Sequence, residues 1–307
     1  MANDYTDQHI VPKRYLDRFG TKGRKATMIG TRMLKKGQVN FFIAATDDVG
    51  YIKDYYDVTD KDDSKYWEHF FANTIDTLCG RDMENIIAKV TLSQKNATVL
   101  SLPDKEALSR VIVAQLMRIP QSIDYVTRHI YPSVTKQVKQ EVASLLPPFL
   151  LEKYGEQIRN IEFSKQYQKE LVLNHAFEPK NFERYCKILQ NDFWIVYVNV
   201  LRDKMPFVTS DNPVLVEGIG KTETGLFSNG LVSPTTCIFY PLSPAIAVAI
   251  YSRNGMLGVA ADKYDGKKVE IDEMQYIGAK NAKIIDQAHL HSFIPQPLYD
   301  EIAEIRR

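Results

Sequence analysis

The sequence predicts an α+β fold in which strands near the two ends form a mixed or antiparallel sheet and a large helical block lies between them. Two observations predict it. Segments dense in β-branched and aromatic residues fall early, around residues 26–44, and late, from residue 193 onward. Between residues 66 and 190, apolar side chains instead recur at spacings of three and four, the pattern of helices with one buried face. The reading is a single domain over residues 1–307, with a helical sub-lobe at 66–190 and a sheet-rich part at 191–307 on which residues 1–50 pack. A chain of 307 residues with 44% hydrophobic content has the apolar surface such a core needs.

Taken in order, Gln8 to Phe19 begins extended, turns at Pro12 and then sets Tyr15, Leu16 and Phe19 at helical spacing. Two strands, Ala26–Thr31 and Val39–Ala44, flank Lys35-Lys36-Gly37-Gln38, whose glycine suits a hairpin turn. From Tyr66 onward, Trp67, Phe70, Phe71, Ile75, Leu78, Ile86, Ile87 and Val90 describe one buried helical face, and Gly80 is a place for it to bend. The next helix has Ser101 as its cap, Pro103 in its first turn and Glu106 near the positive end of its dipole. It stops before Pro120, and its core stripe of Leu108, Val111, Ile112, Leu116 and Ile119 includes the polar Gln115. Arg118 follows three residues later and can look the same way. Ser122 to about Leu146 reads as a long helix ended by Pro147-Pro148, and Leu150 to Gln190 as further helices broken near Pro179. Phe193–Leu201, Phe207–Thr209, Cys237–Tyr240 and Ala245–Tyr251 read as strands, and a last helix runs from about Asp272 to His289.

Composition excludes some partners. Lys+Arg 39 against Asp+Glu 38 leaves a formal charge of +1, too small to draw the whole molecule onto nucleic acid or an anionic membrane. Cys79, Cys186 and Cys237 are odd in number and too widely spaced for a metal knuckle, so buried thiols in a reducing cytoplasm are expected. The N-terminus lacks a leader pattern, and no stretch approaches the roughly 18 apolar residues of a membrane span. A soluble cytoplasmic protein is the expectation.

Several apparent motifs fail on spacing. Gly220-Lys221-Thr222 lacks the opening glycine of a phosphate-binding loop, because that position is Leu215. The acidic run from Asp57 has Thr59 and Lys61 where a calcium hand needs ligands, and Asp62 where it needs glycine. His289 and His291, two apart on the last helix, would face different sides and share no metal. His9-Ile10-Val11-Pro12 is similar to the opening of an HNH nuclease motif, yet no histidine follows Asn40 before His69. Ser210 lacks the glycines of a nucleophile elbow.

The stretch Phe207-Val208-Thr209-Ser210-Asp211-Asn212-Pro213 carries most interest, because an apolar strand delivers hydroxyl, carboxylate and amide groups to a proline stop at a sheet rim. With three other segments it resembles the bacterial family of unknown function DUF4238. Those segments are His9-Ile10-Val11-Pro12-Lys13-Arg14-Tyr15-Leu16-Asp17-Arg18-Phe19, Gln115-Leu116-Met117-Arg118 and Tyr240-Pro241-Leu242-Ser243-Pro244. The resemblance implies an N-terminal His-x-x-Pro-x-x-Tyr-Leu-x-x-Phe element, a helical middle and a late strand ending in Thr-Ser-Asp-x-Pro. It imports no activity. Accessory genes of mobile elements and phage defence are its context.

Two functions compete. In the first, the protein is a hydrolase-like enzyme, a metal-assisted nuclease or phosphoesterase acting on nucleic acid or nucleotide, in which His9, Gln115, Arg118 and Asp211 converge as the catalytic set. His9 would shuttle a proton, Asp211 would orient it or pair with Arg118, and Arg118 would neutralise a phosphate. Tyr15, Ser210 and Asn212 are the substrate-binding candidates, while Asp211 and Glu84 are candidate ligands for Mg²⁺ or Mn²⁺. Glu84 is preferred over Glu68, Asp76 and Asp82 on the same helix because it precedes Ile86 by two residues and borders the apolar face. In the second, the chain is a non-catalytic interaction or sensing protein whose polar residues form a buried network joining the N-terminal segment to the sheet, with no open cleft at Asp211.

Overall fold

Early and late strands share one sheet, a larger sheet is built from late strands alone, and helices from the middle of the chain pack on one face of the larger sheet. The computed structural model describes residues 7–305 apart from 59, 60, 62 and 222, so the positions Thr59, Asp62 and Thr222 weighed above lie outside the described residues. Along the chain the strands are β1 (Asp7–His9), β2 (Thr21–Lys22), β3 (Thr27–Lys35), β4 (Gln38–Ala45), β5 (Tyr51–Lys53) and β6 (Phe193–Asn199). They continue with β7 (Thr209–Ser210), β8 (Leu215–Gly218), β9 (Thr236–Ser243), β10 (Ile246–Tyr251), β11 (Lys267–Ile271) and β12 (His291–Ile294). The larger sheet runs β11-β6-β10-β9-β8, antiparallel except for the parallel pair β11 and β6. The other runs β2-β3-β12-β7 with β4 on β3, which ties the early hairpin to late strands. The fold is α+β.

The hairpin joining β3 and β4 is local chemistry: Lys36 and Gly37 both have positive φ (51° and 78°), the geometry that matches the right-handed twist of the flanking strands. In β9 and β10 alternate residues serve two cores. Ile238, Tyr240, Leu242, Val248 and Ile250 face the helical block, while Phe239, Ala247 and Ala249 face a second core with Phe207, Leu215 and Ile277. The predicted strand Phe207–Thr209 is shorter than expected. Phe207 N–H is taken by the Pro244 carbonyl (2.9 Å) and Val208 N–H by the Asn281 side chain (3.1 Å), which leaves only Thr209 and Ser210 to pair with β12.

The helices are α1 (Lys13–Leu16), α2 (Tyr66–Phe70), α3 (Met83–Leu92), α4 (Leu102–Arg118), α5 (Pro120–Tyr125), α6 (Tyr131–Leu145) and α7 (Pro148–Asn160). After them come α8 (Lys165–Phe177), α9 (Pro179–Asn191), α10 (Leu226–Asn229), α11 (Met256–Ala261), α12 (Met274–Asp286) and α13 (Gln296–Ile305). The start of α4 is held as a capping box, the Asp104 carboxylate accepting the Ser101 amide (2.7 Å) and hydroxyl (2.6 Å). The long helix expected from Tyr66 is interrupted. Two π-helical turns, Phe71–Ile75 and Leu78–Asp82, separate α2 from α3. A third, Val126–Ile130, joins α5 to α6. The last long helix ends at Asp286, short of the expected His289, and His291 lies in β12. All three cysteines are buried and free. No helix among the described residues is long and apolar enough to cross a membrane.

Candidate functional site

The N-terminal segment is the meeting point of the polar residues. β1 pairs with β5, Pro12 turns the chain, and α1 carries Tyr15 into the interior with no exposed surface. There the Tyr15 hydroxyl lies 2.7 Å from Thr209 Oγ1 and donates to the Pro241 carbonyl at 2.8 Å. Its ring stacks on Tyr240, 5.2 Å between centroids and 9° from parallel. Gln115, reaching out from α4, donates Nε2 to the Ile10 carbonyl at 2.7 Å. One buried tyrosine and one buried amide therefore join elements that lie about 100 and 200 residues apart in sequence.

Asp211 performs a different task from the one its sequence position suggested. Its carboxylate accepts three backbone amides, His289 on Oδ1 and Leu290 and His291 on Oδ2, each at 2.7 Å. The residue has no exposed surface. Burial pushes the carboxyl up from its ordinary range, and the three amides pull the other way. Arg118 pairs elsewhere, so the expected Asp211–Arg118 contact is replaced by a clamp on the loop that follows α12. Ser210 and Asn212 close the turn: Ser210 Oγ donates to the Asn212 carbonyl (2.9 Å), and Asn212 Nδ2 donates to the Gln287 carbonyl (3.1 Å). Tyr15, Ser210 and Asp211 are sealed from solvent.

Arg118 is 1% exposed and looks towards the π-helical turns. Its Nη2 donates to Gln115 Oε1 (3.1 Å), its Nη1 lies 3.9 Å from Asp76 Oδ1, and its guanidinium sits 4.9 Å from the centre of the Phe71 ring. Burial raises the Asp76 carboxyl, opposed by the charges of Arg118 and Arg14. Glu68, half-buried on α2, is pushed up to about 7 by burial and by the neighbouring Asp76 charge. His9 lies within reach of the guanidinium charge. Burial lowers its pKa against a hydrogen bond to the Thr46 backbone and the Asp47 charge, which leaves a neutral imidazole at pH 7.

Three side-chain atoms around this point, His9 Nε2, Asp76 Oδ1 and Arg118 Nε, are buried without a hydrogen-bond partner. The exposed Arg14 packs over Gly80, where a Cβ would sit 2.5 Å from its Nη1, while Arg18 Nη2 donates to the carbonyls of Cys79 and Gly80. Glu84 is exposed on α3. Two residues along an α-helix correspond to about 200°, so a position two before the buried Ile86 faces away from it. Glu84 and the sealed Asp211 therefore share no site. Among the described residues no three His, Cys, Asp or Glu side chains are grouped to hold a metal ion.

A family model described as a protein of unknown function, DUF4238, matches residues 7–294, nearly the whole chain. The chain belongs to the DUF4238 family. No curated protein and no solved structure matches it. In this DUF4238 chain the structure brings His9, Gln115 and Arg118 together and leaves Asp211 in a closed turn. Sequence reasoning ranked Asp76 and Glu68 below Glu84. Asp76 directly follows the buried Ile75, which was the available signal, and the intervening π turns concealed its direction.

Proposed function

We propose that the protein is a hydrolase-like enzyme acting on a phosphate ester or similarly charged ester, with Glu68 and Asp76 as its acid–base pair. The observation that carries this reading is a Glu68 carboxyl raised to about 7 by burial and by the charge of Asp76, the two residues lying on either side of the π-helical turn Phe71–Ile75. π turns recur at functional sites because they re-aim side chains. At neutral pH Glu68 is close to half-protonated. In its protonated form it gives its proton to the leaving oxygen as the ester bond breaks, while Asp76 takes the proton of the attacking water. Arg118, buried behind Asp76, positions that carboxylate and stabilises its charge. Arg14, exposed beside Asp76, is the cation available to the substrate anion. His9 lies within reach of the Arg118 charge, and Gln115 holds the Arg118 fork in place.

The test is a hydrolysis assay of the purified full chain on single- and double-stranded DNA, RNA, tRNA and a phosphate diester chromogen, with and without Mg²⁺ or Mn²⁺. Glu68→Gln and Asp76→Asn are expected to lose on the order of 10²-fold or more in rate while keeping the wild-type circular dichroism. A wild type that turns over none of these substrates, with both variants more stable than it, sinks the enzyme reading. The second reading, a non-catalytic protein, is favoured by the complete burial of Tyr15 and Asp211 and by their bonds to backbone or neighbouring side chains. Under it the same residues fasten three parts of the chain together.

A further inference from the structure

Where α4 gives way to α5, a separate cleft of about 250 Å³ opens between α5, the turn after β7, the end of α12 and α10. Leu116, Gln121, Tyr125, Asn212, Phe227 and Gln287 are among its walls, and no Lys, Arg, His, Asp or Glu among the described residues lines it. Tyr125 and Phe227 lie face to face, 4.0 Å between ring centres and 8° from parallel, which makes one wall flat and aromatic.

Beside it lies an oriented amide network, Gln121 standing one helical turn before Tyr125 on α5. Gln287 Nε2 donates to the carbonyls of Asn212 (2.7 Å) and Val214 (3.1 Å). Its own backbone carbonyl accepts Asn212 Nδ2 (3.1 Å) and Gln121 Nε2 (3.3 Å). The last bond fixes which end of the Gln121 amide is oxygen. Gln121 Oε1 is consequently an acceptor, buried and without a partner. An unfilled acceptor of this kind is costly, on the order of 1–3 kcal/mol, unless something donates to it.

We propose that this cleft binds a neutral planar ligand bearing an amino group, the nucleobase of an adenosine-like nucleoside, with the amine donating to Gln121 Oε1 and the ring lying against the Tyr125–Phe227 wall. Its volume is below the range of drug-sized pockets, roughly 300–1,000 Å³, and suits a single fused ring. The uncharged lining gives no reason for a phosphate to add affinity. The proposal uses neither Glu68 nor Asp76 and stands independently of the hydrolase reading.

The experiment is isothermal titration of the full chain with adenosine, purine riboside, which lacks only the amine, and adenosine monophosphate. Adenosine is expected to bind roughly tenfold more tightly than purine riboside, the equivalent of one good hydrogen bond, and at least as tightly as the monophosphate. Gln121→Leu should bring adenosine down to the level of purine riboside, Phe227→Ala should weaken both nucleosides, and Glu68→Gln should change neither. Circular dichroism and urea midpoints accompany each variant, and Phe227→Ala carries the test if Gln121→Leu fails to fold. Equal affinity for adenosine and purine riboside overturns the proposal, as does an absence of binding to the folded wild type at millimolar nucleoside.

Discussion

Replacing Asp211 separates structure from catalysis at the DUF4238 turn. Asp211→Ala removes an acceptor from three backbone amides held at 2.7 Å. Each buried donor left unpaired costs about 1–3 kcal/mol, and the exposed position of His289 lets water take over one of the three, which puts the loss at roughly 2–6 kcal/mol. That is a large part of a stability of about 5–15 kcal/mol. Asp211→Asn should cost less. An amide whose oxygen occupies the Oδ2 position keeps the bonds from Leu290 and His291 and turns its NH₂ against His289, for a loss of about 1–3 kcal/mol. Equilibrium urea unfolding followed by fluorescence of Trp67 and Trp194, the two tryptophans of the chain, measures both. An alanine variant within about 1 kcal/mol of wild type that had nonetheless lost hydrolysis would refute the clamp and restore Asp211 to the chemistry.

Three further outcomes follow from the same geometry. Glu68 has its folded pKa, about 7, raised above its ordinary 4.5, so the stability it contributes is complete below pH 4.5 and is lost as pH rises through 7. Glu68→Gln should therefore unfold at higher urea than wild type at pH 8 and show no advantage at pH 4.5; the gap is about 1–3 kcal/mol once partial exposure is discounted, and a variant that tracks wild type at both pH values contradicts the buried carboxyl. Arg118→Met strips the cation from Asp76 and should cost about 3–5 kcal/mol in urea, whereas a loss below 1 kcal/mol would show that the 3.9 Å contact contributes little. Tyr15→Phe keeps the stack on Tyr240 but removes the hydroxyl shared with Thr209 and Pro241; about 1–3 kcal/mol is expected in urea, and an unchanged midpoint would mean that α1 is held by packing alone.

What could be read from sequence was whatever depends on neighbours a few residues away. The Lys36-Gly37 turn, the Ser101 cap and the Tyr15–Leu16–Phe19 spacing are such features, and each is present in the structure. Two short strands escaped: Lys-Lys-Val-Glu-Ile of the edge strand β11 and His-Ser-Phe-Ile of β12, which lies between β3 and β7, lack the apolar density that marked β6 and β10. Asp211 was expected to orient His9, pair with Arg118 or hold a metal ion, whereas its carboxylate takes amides from 78–80 residues further along, a distance no local pattern encodes.

The same limit explains why the two carboxylates proposed for catalysis were passed over. A π turn adds one residue to a helical turn and rotates everything beyond it by about 100° relative to a regular helix. Two such turns lie between Glu68 and Met83, so a phase counted backward from the buried Ile86 and Val90 is off by more than half a turn when it reaches α2. The apolar pattern survives this because Phe71, Ile75 and Cys79 remain buried on both sides of the interruption. Direction is what changes: Asp76 meets Arg118, and its charge reaches Glu68. The buried bonds of Tyr15, Gln115 and Asp211 then make physical sense beside an irregular helix, since carboxylates on either side of a distorted turn keep a fixed separation only if the elements facing them are themselves held. On the proposed reading the sealed DUF4238 residues hold in place the segment on which His9, Asp76 and Arg118 keep unsatisfied atoms.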